Sequence, residues 1–149
     1  MIRVRSCGLL ISEGNVLLVK QNVPTREIPV WIPPGGGVEP GESAEQALKR
    51  ECEEETGITL SGLRLRYIHE FIDKPYHALE LYFLAESFTG KLVTGSDPEH
   101  SQNEQLIHEV CFKPVDDLST LHVVPEFLVD ELKTGRYLEN EISYFKSVQ

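Results

Sequence analysis

"PPGGGVEPGESAEQALKRECEEETGI", Pro33 to Ile58, is the stretch on which the reading of this chain turns. Between Glu39 and Glu55 it carries seven glutamates against two basic residues, Lys49 and Arg50, a net −5 that is half of the chain's formal charge of −10. Ser43 is a candidate N-cap, and Gln46 stands three residues on, where a capping box needs it. Gly57 is a suitable stop, so the spacing predicts a helix from Ser43 to about Thr56. At about 100° per residue, with Glu51 set at zero, Ala44, Ala47, Leu48 and Cys52 fall at about +20°, −40°, +60° and +100° and form an apolar stripe. Glu54 and Glu55 fall at about −60° and +40°, on the same side. Glu45, Gln46, Lys49, Arg50 and Glu53 take the opposite, solvent-facing side.

Three carboxylates on the inward side of a helix need an explanation. Burying a carboxylate without a partner is costly, and neighbouring carboxylates repel one another. Acidic groups near a helix C-terminus also oppose its dipole. Arg50 and Glu54 form an i,i+4 pair, but in the weaker order. A solvated acidic helix end accounts for neither the face nor the end. A bound divalent cation removes both objections, because hard cations such as Mg²⁺ take oxygen ligands and are completed by waters and substrate phosphates. Gly35, Gly36 and Gly37, just upstream, let the backbone approach a ligand closely, which suggests backbone groups sharing the site.

Outward from this helix, the 149 residues are expected to form one domain, 1–149. A composition of 40% hydrophobic and 26% charged residues is that of an ordinary globular protein. No apolar run approaches the ~18 residues of a membrane span, so a membrane partner is not expected. "CGLLI" after the basic N-terminus is too short for a signal-peptide core and reads as strand. Cys7, Cys52 and Cys111 are far apart and form no CxxC pair, which fits a reducing, cytoplasmic setting. The acidic balance argues against binding duplex nucleic acid.

Val4 to Ile11 and Val16 to Lys20 read as strands around the turn Ser12–Asn15. Gln21 to Val30 reads as loop, Leu63 to Ile72, Leu79 to Phe88 and Ile107 to Phe112 as strands, and Ser96 to Asn103 as an exposed loop. Pro114 to Leu118 and Pro125 to Lys133 read as short helices. The pattern predicts an α/β fold with a mixed sheet and helices on its faces. The closing "RYLENEISYFKSVQ" is too aromatic for a disordered tail, and is expected to pack on the domain or on a second subunit in a homodimer.

At the glutamate helix the sequence resembles the Nudix hydrolase family. The family signature, G-x5-E-x7-R-E-U-x-E-E-x-G-U with U bulky and aliphatic, lies on Gly36, Glu42, Arg50-Glu51, Cys52, Glu54-Glu55, Gly57 and Ile58. Cys52 departs by being a small thiol, which packs as a small hydrophobe, and Pro33 stands where leucine is commoner. The resemblance implies an α/β/α sandwich that hydrolyses a nucleoside diphosphate linked to another moiety. It implies Mg²⁺ or Mn²⁺ held by Glu51, Glu54 and Glu55, with the Gly36 carbonyl, and one of the glutamates as base. By the same analogy Arg50 and Glu42 hold the glutamates in position. Family members often draw a further acid from a later loop; Glu104 is the candidate here and Glu109 the second. The substrate implied is a nucleotide-derived small molecule: a nucleoside triphosphate, ADP-ribose, a nucleotide sugar or similar.

Outside the signature the residues say less. Arg26 and Lys20 are candidates to meet phosphate, and Trp31, Tyr67, Phe71 and Tyr82 to stack a base, although strand aromatics usually belong to a core. The five histidines show no metal-ligand spacing. Two other classes compete with hydrolysis: a catalytically silent nucleotide-sensing module of the same fold, and an acidic interaction protein. The complete glutamate set disfavours the first, and the inward carboxylates disfavour the second.

Overall fold

The computed structural model describes residues 1–93 and 107–149. Among the described residues, nine strands form two sheets. The first is mixed and runs β5 (Gly35–Gly37), β1 (Arg3–Leu9), β7 (Tyr76–Gly90), β6 (Ile58–Asp73), β9 (Ser143–Val148). In it β1–β7 and β6–β9 are parallel, whereas β1–β5 and β6–β7 are antiparallel. The second is antiparallel around β3 (Asn15–Gln21). One edge of β3 carries β8 (Ile107–Pro114), and the other carries β2 (Ile11–Ser12) and β4 (Val30–Ile32).

Among the described residues, two α-helices lie on opposite sides of the sheets. α1 (Ala44–Thr56) buries Leu48 and Cys52 against Leu10, Leu17, Val19, Phe83 and Val110. α2 (Phe127–Thr134) buries Leu128 and Leu132 against Cys7, Leu9, Val16, Leu18 and Tyr67. Val16 and Leu18 thus face one helix and Leu17 the other, the period-2 alternation of a strand buried on both faces. The result is an α/β fold with a mixed sheet held between helices, as expected.

The structure changes or adds to the sequence expectation in three places, each for a non-local reason. The Val4–Ile11 stretch is not one arm of a simple hairpin: β1 ends at Leu9 in the first sheet and β2 opens the second, with both Leu9 and Leu10 fully buried at the crossing. The glycine run is a strand, because Gly35, Gly36 and Gly37 pair with Cys7, Ser6 and Arg5. A Cβ on Gly35 would lie 2.2 Å from the Ser6 carbonyl oxygen, an approach that only glycine permits. β6 and β7 extend well past the expected limits, since β6 starts directly after Gly57 and pairs with β7 almost throughout.

The C-terminal stretch packs on its own chain. Arg66 is 1% exposed and has backbone carbonyls as partners: Nε donates to Tyr137 O (2.9 Å) and Nη2 to Arg136 O (2.8 Å), with a further bond to Glu141 O. Its guanidinium also stacks over Tyr67, 4.5 Å from the ring centre. These contacts fix 136–141 and deliver β9 to the edge of β6. The expected 96–103 loop lies outside the described residues.

Candidate active site

α1 begins and ends where its local chemistry dictates. Gln46 N donates to Ser43 Oγ (3.1 Å) and Ser43 N donates to Gln46 Oε1 (2.9 Å), the complete capping box. Gly57, left-handed at φ 76°, closes the helix with its N–H on Glu53 O. Ala47, Leu48 and Cys52 are buried, Glu53 is exposed, Glu51 and Glu54 are half-buried, and Glu55 is 8% exposed. The helical angles therefore sort the four neighbouring glutamates correctly.

Arg50 departs from those angles. Its Cα lies toward the solvent side, yet its side chain folds back across the glutamates. Nε and Nη2 donate to the two oxygens of Glu42 at 2.8 and 3.0 Å, a bidentate clasp. Nη1 donates to Glu51 (3.0 Å) and more weakly to Glu54 (3.5 Å), and Nη2 also reaches Gly37 O at 3.2 Å. The Arg50 bond, with the Glu39 backbone N–H, pulls the Glu42 carboxyl down to about 2, so it is ionised at neutral pH. Bonded mainly to Glu42, Arg50 is held firmly protonated.

The glutamates are tied to the glycine strand as well. Gly35 N–H donates to Glu55 Oε1 at 2.9 Å. A Cβ on Gly36 would lie 2.4 Å from the carboxyl carbon of Glu51, so this carboxylate lies against backbone where only glycine leaves room. One wall thus brings together Gly36, Glu42, Arg50, Glu51, Glu54 and Glu55. Glu104 lies outside the described residues. Glu109 is exposed on β8 and accepts from the Cys111 thiol at 3.3 Å.

Among the described residues, no three His, Cys, Asp or Glu side chains are gathered into a ready metal centre. Arg50 engages Glu51 and Glu54 while Glu55 turns to Gly35, so the carboxylates share a wall without converging on one point. The donor set nonetheless suits a hard cation, being carboxylate and backbone oxygen with neither thiol nor imidazole. The missing Cβ at Gly36 leaves the Glu51 carboxylate the space it needs.

A cleft of about 360 Å³ opens beside this wall, bounded by Gly35, Gly36, Glu51 and Glu55 at one end. Of the residues expected to meet substrate, Arg26, Phe71 and Tyr82 line it. Trp31 and Lys20 instead border a separate hollow, where the Lys113 and Lys20 ammonium groups stand 4.8 and 5.8 Å from the Trp31 ring centre. Tyr67 is wholly buried, donating to Glu131 at 2.8 Å. Sequence reasoning missed Arg3, Arg5, His69 and Glu80, which also line the cleft. Alternation along β1 puts Arg3, Arg5 and Cys7 on one face, the only signal that pointed there.

Comparison with known proteins agrees with this geometry. Residues 1–130 match the NUDIX domain family. A Bacillus subtilis (strain 168) protein named uncharacterized Nudix hydrolase YvcI is 36% identical over 100 residues, 64% of this chain and 60% of that protein. An ADP-ribose pyrophosphatase of Methanocaldococcus jannaschii is 30% identical over 98 residues, 64% of this chain and 57% of that protein. The chain thus spans less than two-thirds of the length of either relative. The crystal structure of a MutT NUDIX hydrolase from Burkholderia pseudomallei superposes with a TM-score of 0.73 at 27% identity, covering 89% of this chain and 97% of that one. With the family match running from the first strand into α2 and across the whole glutamate wall, the chain belongs to the Nudix family.

Proposed function

We propose that residues 1–149 act as a single Nudix domain that hydrolyses the pyrophosphate linkage of a nucleoside diphosphate derivative with the help of Mg²⁺ or Mn²⁺. The observation that carries this reading is the Arg50 side chain, which holds Glu42, Glu51 and Glu54 together beside a cleft that Glu51 lines. A cation held by these carboxylates would neutralise phosphate charge that the carboxylates themselves repel.

Glu51, Glu54, Glu55 and the Gly36 carbonyl would hold the cation, with Glu104 as a further candidate ligand. When bound, it supplies neutralisation of phosphate charge and activation of a water nucleophile. The protein does the rest. Glu42, ionised and clasped by Arg50, fixes the guanidinium, which in turn orients Glu51 and Glu54. Glu55 pins the glycine strand through Gly35 N–H and so sets the distance between helix and backbone. One of the glutamates takes a proton from water as the water oxygen bonds to phosphorus. The P–O bond of the anhydride then breaks and the departing phosphate keeps the electron pair. The nucleoside part of the substrate would occupy the cleft, whose lining includes Phe71 and Arg26.

The relatives' names span different nucleotide derivatives, so the test is a panel. Phosphate or nucleoside monophosphate release is followed from nucleoside triphosphates, ADP-ribose, dinucleoside polyphosphates and nucleotide sugars, with Mg²⁺ and with excess chelator. Cleavage of at least one class only with metal is expected. Tight binding without cleavage of any of them would leave the sensing module as the correct reading.

A further inference from the structure

The floor of the cleft is built from three neighbouring strands. Arg5 on β1 stands beside Glu80 on β7, and Glu80 beside His69 on β6. β9 adds a fourth strand, pairing its Phe145 with His69 and its Ser147 with Phe71. The side chains form one chain of contacts. Arg5 Nη1 donates to Glu80 Oε2. On the other oxygen, His69 Nδ1–H donates at 2.7 Å, since a carboxylate can only accept, and Tyr82 OH donates at 3.3 Å. His69 Nε2 meets the Ser147 hydroxyl at 2.8 Å. Burial opposes ionisation of Glu80, but His69 and Arg5 together hold its carboxyl below the ordinary range.

This arrangement is expensive if its purpose is stability alone. Apolar residues of similar volume commonly replace a buried ion pair at no loss. Glu80 and His69 are 7% and 2% exposed, whereas one-fifth of the Arg5 side chain is open to the cleft. A guanidinium has five N–H donors. Among the described residues, Glu80 is the one acceptor bonded to Arg5. Glu80 already receives three donors, so the floor shows a ligand donors rather than acceptors.

We propose that Arg5 reads an acceptor oxygen of the substrate, and that Glu80, His69 and Ser147 are positioning residues that aim it. The C-terminal strand (Ser143–Val148), which lies beyond the family match at residue 130, thereby takes part in substrate selection. The inference rests on the pyrophosphohydrolase reading for its kinetic test. The acceptor oxygen belongs either to a phosphate or to the keto edge of a base, and both sources satisfy the same geometry.

Two measurements test it. At saturating Mg²⁺, on the substrate that the panel reveals, Arg5→Met should raise KM about ten- to a hundredfold, the scale of a charged hydrogen bond, with kcat changed far less. Ser147→Ala should raise KM about three- to tenfold, as expected for one neutral hydrogen bond, and Ser147→Thr should restore it with unaltered melting temperature. In chelator, where no hydrolysis occurs, affinities of wild type and Arg5→Met are compared by NMR titration with GMP, IMP, AMP and ribose 5-phosphate. A loss shared by all four assigns the contact to phosphate; a loss confined to GMP and IMP assigns it to the keto edge. Equal affinities in the two proteins, no binding to the wild type, or a KM untouched by Arg5→Met and Ser147→Ala would overturn the proposal. If the wild type cleaves nothing on the panel, the hydrolase reading fails by itself, and the titration still decides the role of Arg5.

Discussion

Gly36→Ala is the smallest change that reaches the proposed chemistry. The added methyl carbon would stand 2.4 Å from the Glu51 carboxyl carbon and 2.6 Å from its nearer oxygen. Ordinary carbon contacts are about 3.5–4.0 Å, so one of the two must move by about 1 Å or more. Gly36 is locked into β5 by its pairing with Ser6, which leaves the Glu51 side chain to move. Glu51 then loses its place against the backbone, and its 3.0 Å bond to Arg50 is disturbed. Displacements of about 1 Å in a catalytic constellation cost about a hundredfold in rate, or about 2.7 kcal/mol of barrier. Turnover should fall on that scale, while the melting temperature without metal changes little because a half-buried side chain has room to swing. The assay is steady-state hydrolysis at saturating Mg²⁺, repeated in a Glu51→Ala background. There the clash is gone, so the alanine at position 36 should cost nothing further. Undiminished turnover in Gly36→Ala, or losses that multiply in the double variant, would refute the argument that Gly36 is glycine to make room for Glu51.

Mg²⁺ at about a hundred times its Kd should stabilise the fold by about 2.7 kcal/mol, a rise of roughly 5–10 °C in Tm for a chain of this size, reversed by chelator; identical melting curves would count against a metal site. Glu42 is depressed from an ordinary 4.5 to about 2, so its clasp on Arg50 contributes stability that is whole above about 4.5 and is lost as the pH falls through about 2. The stability difference between wild type and Glu42→Gln should accordingly be flat from pH 7 to 5 and shrink toward pH 2, and a difference independent of pH would contradict the clasp. Cys52 is fully buried, with its thiol pushed up to about 11 by burial, so Cys52→Val should keep most activity and native Cys52 should resist thiol reagents.

What the sequence disclosed was local. The limits of α1 were legible because capping box and stop lie within the stretch that they bound, and the faces of Glu51, Glu53, Glu54 and Glu55 followed from helical geometry. The path of Arg50 was not, because a long flexible side chain reaches wherever its partners stand, and Glu42 eight residues back drew it across the helix. The floor of the cleft was illegible for a different reason. Arg5 meets Glu80 across 75 positions, and His69 meets Ser147 across 78, through parallel strand pairings that leave no periodic trace. The strand character of the glycine run was not legible for the same cause: it exists only because β1 offers it a partner.

On the proposed function, α1 directs a metal-dependent catalytic edge with Glu54 and not with Glu53. Both are glutamates near one helix end, and composition cannot tell them apart; Glu53 is exposed, whereas Glu54 is half-buried and within 3.5 Å of Arg50. The direct measurement is phosphate release by Glu53→Gln, Glu54→Gln and wild type, side by side at saturating Mg²⁺. Near wild-type turnover is expected for Glu53→Gln and, for Glu54→Gln, a fall of about tenfold to a thousandfold, the scale of one lost electrostatic contact in a site. Equal losses in the two variants, or the larger loss at Glu53, would contradict it.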